Sequence, residues 1–339
     1  MRSPLQGGPL PADTVVGAIV EIACDESGFS GTNMLHAATP VITHASVDLG
    51  AEEAAGVITR LRSELRFSPH EYKSGQFLRS LLLRGQRPGE ALDWFGSTLT
   101  GRAYVHRVDK EFFLATRIID LLLSEPSYTA GTRLSQDRRS DALALYRAGR
   151  PAGDDWRAFL AAFVDLVRTK RRHPAAVEKF FHARDALLRA GLGAPATAVL
   201  NELSPIRVRD VATRLHNDDR SIPPPLEPLL PALGETVLSW SGGVRQVLVI
   251  HDEQCALTAD RLTRLQRALA AAGPGLPSAD TAALPAGVSP LAGLVMADSR
   301  DDPRVQVADL LAGVARRLPA VGDDAVLRPL LTPTSLLPT

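Results

Sequence analysis

Short apolar runs near both ends of the chain predict the strands of a β-sheet. Val15–Asp25 (VVGAIVEIACD) predicts a mostly buried strand, and Val244–Asp252 (VRQVLVIHD) predicts a central strand buried on both faces. Three weaker or shorter patterns predict further strands at His36–Val47, Arg102–Val108 and Leu291–Ala297. The pattern therefore places β-structure in the first third and the last third of the chain.

Two local signals refine the second strand. Gly28, Gly31 and Asn33 lie between the first two predicted strands and suit a hairpin connection. Pro40 lies inside the second predicted strand, which indicates an edge position or a bulge because proline has no N–H for the ladder.

Along the rest of the chain, the apolar residues recur with helical spacing. It predicts helices at Ala51–Arg66, at Leu257–Ala272 and at Asp302–Leu318, the last with Asp302 as N-cap and Pro303 at its first position. From about Glu111 to Gly234 one helical pattern follows another, and no strand pattern interrupts them.

This order predicts an α/β domain that is interrupted by an all-α insertion. The length of 339 residues is about twice that of a usual domain, which leaves room for both parts. The expected divisions are a tail at 1–12, the first half of the α/β domain at 13–110, the helical insertion at 111–235, the second half at 236–318, and a loose tail at 319–339.

Composition and charge exclude several classes of protein. Lys+Arg and Asp+Glu are equal at 38 each, so no global charge favours nucleic acid or acidic lipid. No stretch approaches the ~20 apolar residues of a membrane span, and the N-terminus lacks the pattern of a secretory signal. Two cysteines cannot build a disulfide framework. We expect a cytoplasmic protein without membrane association.

Four acidic residues stand where strand and helix patterns do not ordinarily place them: Asp25, Glu71, Asp252 and Asp309. Each of these four residues can also be explained by a structural role without any catalytic function. Asp25 also suits a turn, Glu71 also completes a capping box with Ser68, and Asp252 also suits the start of a loop. Asp309 has no basic residue three or four positions away, so it is either an exposed residue or a buried carboxylate that a cation must compensate.

Together the four carboxylates would supply the hard oxygen ligands that Mg²⁺ or Mn²⁺ prefers. Phosphoryl chemistry on a divalent metal is the natural inference. His70 and His251 each precede one of these acids and are candidates for base or substrate contact, although a structural histidine is the commoner outcome. The basic run around Arg171 could contact phosphates, or could complement a helix dipole.

Three segments, in this order along the chain, carry a resemblance to a known family: Asp25-Glu26-Ser27-Gly28, Glu71-Tyr72-Lys73, and Asp298-Ser299 followed by Gln306-Val307-Ala308-Asp309. They resemble the bacterial family catalogued as domain of unknown function 3800, which looks like the ribonuclease H-like superfamily. The resemblance covers roughly 15–107 and 244–318 and leaves the helical insertion unexplained. It implies a ribonuclease H-like mixed sheet flanked by helices.

The resemblance also implies roles for single residues. Asp25, Glu71, Asp252 and Asp309 would be catalytic and would hold two Mg²⁺ or Mn²⁺ ions, with Asp298 as a reserve ligand. Lys73, Ser27 and Gln306 would serve the substrate, with Lys73 near the phosphates and Gln306 orienting its neighbours. Arg171 lies in the helical insertion, outside the resemblance, and is a candidate substrate contact because of its basic run alone.

Two ions about 4 Å apart can activate water and stabilise a leaving oxygen. We therefore expect a metal-dependent nuclease acting on DNA or RNA. The alternatives are an accessory protein that binds nucleic acid or a partner without turnover, and a phosphoesterase that acts on nucleotides. The helical insertion is a candidate surface for a partner protein or a second copy of the chain.

Overall fold

The computed structural model describes residues 19–29, 34–35, 39–65, 78–79, 92–125, 128, 138–168, 175–272, 283–321 and 325–338. They form two compact units. The first contains the described parts of Met1–Phe29, Val41–Arg107 and Ala232–Ser335, and the second those of Ser30–Pro40, Val108–Pro231 and Leu336–Thr339. Most of the second unit lies in 108–231, a range that overlaps the predicted insertion.

The strands form one mixed five-stranded sheet in the order β3-β2-β1-β4-β5. They are β1 (Ile19–Ser27), β2 (Val41–Val47), β3 (Ala103–Asp109), β4 (Gln246–Asp252) and β5 (Leu291–Ala297). β2 runs antiparallel to β1, whereas β4 runs parallel to both β1 and β5. The predicted α/β class is confirmed, and β1 and β4 lie side by side in the middle of the sheet.

Pro40 does not mark an edge strand or a bulge. β2 begins at Val41, directly after the proline, and it lies between β3 and β1 inside the sheet. The edge interpretation is wrong because Pro40 stands outside the ladder, where its missing N–H costs no inter-strand hydrogen bond. The carbonyl of Pro40 accepts a hydrogen bond from the amide of Lys110 (2.9 Å).

The helices of the described residues flank the sheet or build the second unit. They are α1 (Ala51–Leu65), α2 (Asp93–Leu99), α3 (Lys110–Leu122), α4 (Arg139–Gly149), α5 (Asp154–Val167), α6 (Ala176–Arg189), α7 (Ala194–Glu202), α8 (Pro205–His216), α9 (Leu229–Ser241), α10 (Ala259–Ala271) and α11 (Pro303–Arg317). Within this described part, no helix has both the length and the apolar character needed to span a membrane.

α11 covers one face of the sheet. It begins as predicted, with the Asp302 side chain accepting a hydrogen bond from the amide of Arg304 and Pro303 in the first turn. Small residues on its inner side, Ala308 and Ala312, are fully buried in a core that they share with Ala23 of β1 and Ala45 of β2. These small side chains let the helix lie close to the strands, which brings its polar residues to the end of β1.

The other face of the sheet is covered in part by α9. Trp240 donates a hydrogen bond from Nε1 to Ser46 Oγ of β2 (2.8 Å) and packs edge-on against Tyr104 of β3 (ring centroids 4.8 Å apart). Because the sheet is covered on both faces, its central strands read as continuous apolar runs and not as alternating ones.

Between 110 and 231 the regular elements of the described residues are all helices, as the pattern predicts. The core of the second unit is aromatic. Tyr146 of α4 packs edge-on against Phe112 and Trp156, and Phe180 of α6 stacks on Phe159 of α5. The indole of Trp156 donates to a carboxylate oxygen of Glu111 (3.1 Å), which satisfies its polar atom.

The expectation of a loose tail from Pro319 onward is wrong for the described residues 325–338. Leu331 and Leu336 form parallel bridges with Val105 and Val108 of β3. The side chains of Leu327, Leu330 and Leu336 are at most 2% exposed. The apolar residues of this segment cover the edge strand β3, whose unpaired backbone groups would otherwise face solvent.

Candidate functional site

Two aspartates meet at the carboxyl ends of the central strands. β1 and β4 are parallel with Cys24 opposite His251, so Asp25 and Asp252 follow at the next position of each strand. The carboxyl ends of neighbouring parallel strands are where open α/β sheets usually bind ligands. The hydrophobic pattern that buries both strands therefore also brings their two carboxylates to one edge of the sheet.

Asp25 is the most strongly perturbed of these acids. Its side chain is buried (5% exposed), and its Oδ1 accepts a hydrogen bond from the amide of Glu26 (2.7 Å). Burial, followed by the negative charges of Glu26, Asp309 and Asp252, raises its pKa from 3.8 to about 9. A carboxyl group in this environment is protonated at neutral pH until a cation compensates its charge.

Asp309, on α11, acts on the same carboxyl end of β1. Its charge is among those that raise the pKa of Asp25, although the two residues are 284 positions apart in sequence. α11 is fixed here by Thr43 of β2, whose Oγ1 donates to the carbonyl of Ala312 (2.7 Å). The nearest helix positions offer no cation, as the sequence indicates, but Arg317 two turns later interacts electrostatically with Asp309.

Asp252 is held by a chain of hydrogen bonds that starts on α11. Its Oδ1 accepts from the amide of Ser299 (3.1 Å), and the carbonyl of Ser299 accepts from the buried amide of Gln306 (3.3 Å). Gln306 therefore positions the loop after β5, and this loop in turn positions the carboxylate of Asp252. The orienting role that the resemblance implies for Gln306 is compatible with these hydrogen bonds and stays a prediction.

Asp298, the expected reserve ligand, is turned toward Arg300 instead. The two side chains form an ion pair (2.5 Å), and this guanidinium holds the pKa of Asp298 at about 2. The carboxylate of Asp298 is not among the charges that shift Asp25. An arginine only two residues away satisfies Asp298 locally, which sequence spacing along a loop does not reveal.

Ser27 and Gly28 complete the Asp-Glu-Ser-Gly segment. Ser27 Oγ accepts a hydrogen bond from Nε of Arg316 in the last turn of α11 (3.0 Å). Gly28 has a left-handed backbone (φ +90°), and a β-carbon there would lie 2.6 Å from both the Val41 carbonyl oxygen and Cδ of Arg316. Only glycine leaves room for the arginine stem and for this turn.

Glu71, Lys73, Arg171 and His70 lie outside the described residues. Their expected roles as the remaining ligand, as phosphate contacts and as a candidate base stay predictions.

His251 is part of a buried hydrogen-bond chain on the opposite face of the sheet. Its Nδ1 donates to the carbonyl of Asp252 (3.0 Å), and its Nε2 lies 3.2 Å from Nε2 of His44. Burial and the neighbouring imidazole hold the pKa of His44 below 6.5. His44 Nδ1 in turn lies 2.9 Å from Thr236 Oγ1, and His251 Nε2 also lies 4.0 Å from Oε2 of Glu26. His251 is therefore a satisfied structural histidine.

Sequence reasoning missed three groups around this site: Glu26, His44 and Arg316. The sequence pattern marks Glu26 only as part of a motif, yet its Oε1 accepts a hydrogen bond from Gln254 (2.6 Å), and its buried Oε2 has no hydrogen-bond partner among the described residues. His44 carried no local signal. Arg316 was recognisable only as seven positions after Asp309, which places both on one face of a helix.

The acidic side chains that act on one another here come from β1, β4 and α11, and their polar atoms are carboxylate oxygens. This chemistry suits a hard divalent cation better than zinc or copper. Within the described ranges, no three His, Cys, Asp or Glu side chains already stand close enough to hold a metal ion. Comparison of the chain with protein-family models, with curated proteins and with solved structures finds no match.

Proposed function

We propose that the protein is a divalent-metal-dependent nuclease that cleaves phosphodiester bonds. One observation carries this proposal. Asp25 is buried at the end of a central strand, with the charges of Asp252 and Asp309 acting on it from two other elements. A buried carboxylate with further carboxylates acting on it destabilises a fold unless a cation or a proton compensates its charge, so this arrangement has a functional explanation.

The resemblance of the Asp-Glu-Ser-Gly and Gln-x-x-Asp segments to a ribonuclease H-like family supports the same reaction. A mixed sheet flanked by helices is compatible with that fold. In the proposal, Asp25, Asp252 and Asp309 hold Mg²⁺ or Mn²⁺, and Glu71 supplies a further carboxylate. Bound ions of this kind lower the pKa of water and stabilise the charge on a leaving oxygen.

The chain's own residues prepare the site. Ser299 and Gln306 fix one oxygen of Asp252, so this carboxylate is oriented before any cation binds. Asp25 carries a proton at neutral pH in the absence of metal and gives it up when it becomes a ligand. Metal binding should therefore release a proton.

The test is cleavage of labelled single-stranded and double-stranded DNA and RNA in Mg²⁺, in Mn²⁺ and in EDTA. We expect cleavage only with metal. Asp25→Asn and Asp309→Asn should lower the rate more than about 100-fold, since loss of outer-shell partners alone costs 10–100-fold. Asp298→Asn is the matched control because its carboxylate is paired with Arg300, and it should retain the wild-type rate.

Each alternative has its own outcome. Nucleic-acid binding without cleavage under any condition would favour an accessory protein, and faster hydrolysis of free nucleotides would favour a nucleotide phosphoesterase. Equal cleavage in EDTA and in Mg²⁺, or wild-type activity of Asp25→Asn, would contradict the proposed site.

A further inference from the structure

Arg316 stands beside the acidic site on the same helix face as Asp309. The two residues are seven positions apart, which is two turns, or about 10.5 Å along the axis of α11. Asp309 acts on Asp25, and Arg316 contacts Ser27, two residues later on the same face of β1. The helix thus places a carboxylate and a guanidinium along one short stretch of strand.

The Arg316 side chain is positioned by contacts with Ser27 and Gly28, and its helix by a bond from β2. Its Nε donates to Ser27 Oγ (3.0 Å), and its stem crosses Gly28, where no side chain blocks it. One turn earlier, the bond from Thr43 to the carbonyl of Ala312 fixes the helix against β2. The hydrogen bond to Ser27 uses only Nε–H, which leaves the four donors of the two terminal nitrogens for other partners.

No carboxylate pairs with Arg316 among the residues that the structure describes, and its one hydrogen bond there goes to Ser27. Burial, followed by the positive charge of Arg317, lowers the pKa of Arg316. Arg317 behaves as an ordinary helix-terminal cation, because its Nη1 donates to the carbonyl of Gly313 (3.3 Å). Arg316 instead turns away from its own helix toward the strand end. A half-buried cation without a counter-charge is suited to bind an anion.

We infer that Arg316 is a phosphate-binding residue, and that it takes a backbone phosphate next to the scissile one in a nucleic acid strand. The inference rests on the proposed function, since it extends the same site. A guanidinium fork matches two phosphate oxygens, which lysine cannot do. Placed two helix turns from Asp309, the fork sets the path of the strand along the end of β1.

The experiment measures binding of fluorescein-labelled 20-nucleotide DNA and RNA by anisotropy, from 50 to 400 mM NaCl, in EDTA so that no cleavage occurs. Arg316→Gln removes the charge, and Arg316→Lys keeps it without the fork. The matched control is Arg328→Gln, since Arg328 is an exposed arginine in the short helix Ala325–Leu330. Circular dichroism checks that each variant is folded.

Loss of one phosphate contact lowers the slope of log K against log salt by about 0.7 to 0.9. Between 50 and 200 mM NaCl, the affinity of Arg316→Gln should therefore fall about 2.6- to 3.5-fold less than that of the wild type. Arg316→Lys should bind more weakly than the wild type but with its slope. Arg328→Gln should match the wild type in both quantities.

Three results would overturn the inference: no measurable binding by the wild type, an unchanged slope in Arg316→Gln, or an equal loss in Arg328→Gln. If Arg316→Gln does not fold, Ser27→Ala serves instead. It frees the guanidinium without removing its charge and should weaken binding at an unchanged slope, and wild-type affinity would then overturn the inference. Cleavage in Mn²⁺ is scored separately. If the salt slope depends on Arg316 but no cleavage occurs, the nuclease proposal is contradicted and the phosphate contact stands. If cleavage occurs but the salt slope of Arg316→Gln is unchanged, the phosphate contact is contradicted and the nuclease proposal stands.

Discussion

Replacement of Asp25 by Asn should stabilise the metal-free protein, increasingly so as the pH rises. The folded protein holds the proton of Asp25 up to about pH 9, whereas the unfolded chain releases it near 3.8. Between these values the native state binds more protons than the unfolded state. The free energy of unfolding therefore falls as the pH rises through this window. Asn keeps the shape and the acceptor oxygen but cannot ionise, so the variant escapes this loss.

The magnitude follows from the shift. At pH 7 the carboxyl is about 3 pH units above its unfolded pKa, and at ~1.36 kcal/mol per unit the cost is up to about 4 kcal/mol. At pH 4 the cost is close to zero. The stability advantage of Asp25→Asn in EDTA should therefore grow from nearly nothing at pH 4 to as much as about 4 kcal/mol at pH 7.

The assay is urea unfolding followed by circular dichroism from pH 4 to pH 8 in EDTA, with midpoint and slope recorded separately. Asp298→Asn is the control, because the pKa of Asp298 is lowered to about 2 by Arg300 and its charge does not change over this range. Equal stability of Asp25→Asn and the wild type at every pH would refute the reasoning from burial and charge repulsion. So would the same pH-dependent gain in the control.

Three further changes test other parts of the structure. Asp309→Asn should be neutral or stabilising in EDTA. In Mn²⁺ at a hundredfold excess over Kd, the variant should lack most of the roughly 2.7 kcal/mol by which metal binding stabilises the wild-type protein. Equal metal-induced shifts in melting temperature for the variant and the wild type would show that Asp309 is not a ligand. Gly28→Ala should cost about 1–3 kcal/mol in urea unfolding, because of its positive φ and the clash with the Val41 carbonyl, and wild-type stability would contradict that geometry. Leu330→Ala should lower the free energy of unfolding by about 2–5 kcal/mol, because this leucine is fully buried. Arg328→Ala, at an exposed residue of the same segment, should lower it by less than about 0.5 kcal/mol. Equal effects would support the interpretation of this segment as a loose tail.

Much of the fold was predictable because its signals are local. Apolar runs identified the five strands of the described sheet, with Leu291–Ala297 correct to the residue, and Asp302-Pro303 marked the start of α11. Two local interpretations were wrong. Pro40 lies outside the ladder, and the segment after Pro319 packs on β3. Both depend on which strand is next to which, and neither composition nor periodicity contains that information.

The sequence by itself determined which residues could carry chemistry at the site. Asp25 and Asp252 were identifiable because a carboxylate ending a buried strand is unusual, and Asp309 because its helix face offers no basic partner nearby. These are statements about neighbours within a few positions. They hold whatever the strand order is.

Only the tertiary structure decided which of these groups act on one another. The parallel register of β1 and β4 puts Asp25 beside Asp252, and the close approach of α11 adds Asp309 while Asp298 pairs with Arg300. The same approach turns Arg316 toward Ser27. Burial and charge repulsion depend on distances between elements that are far apart in sequence, so the raised pKa of Asp25 exists only once the sheet and its covering helix have packed.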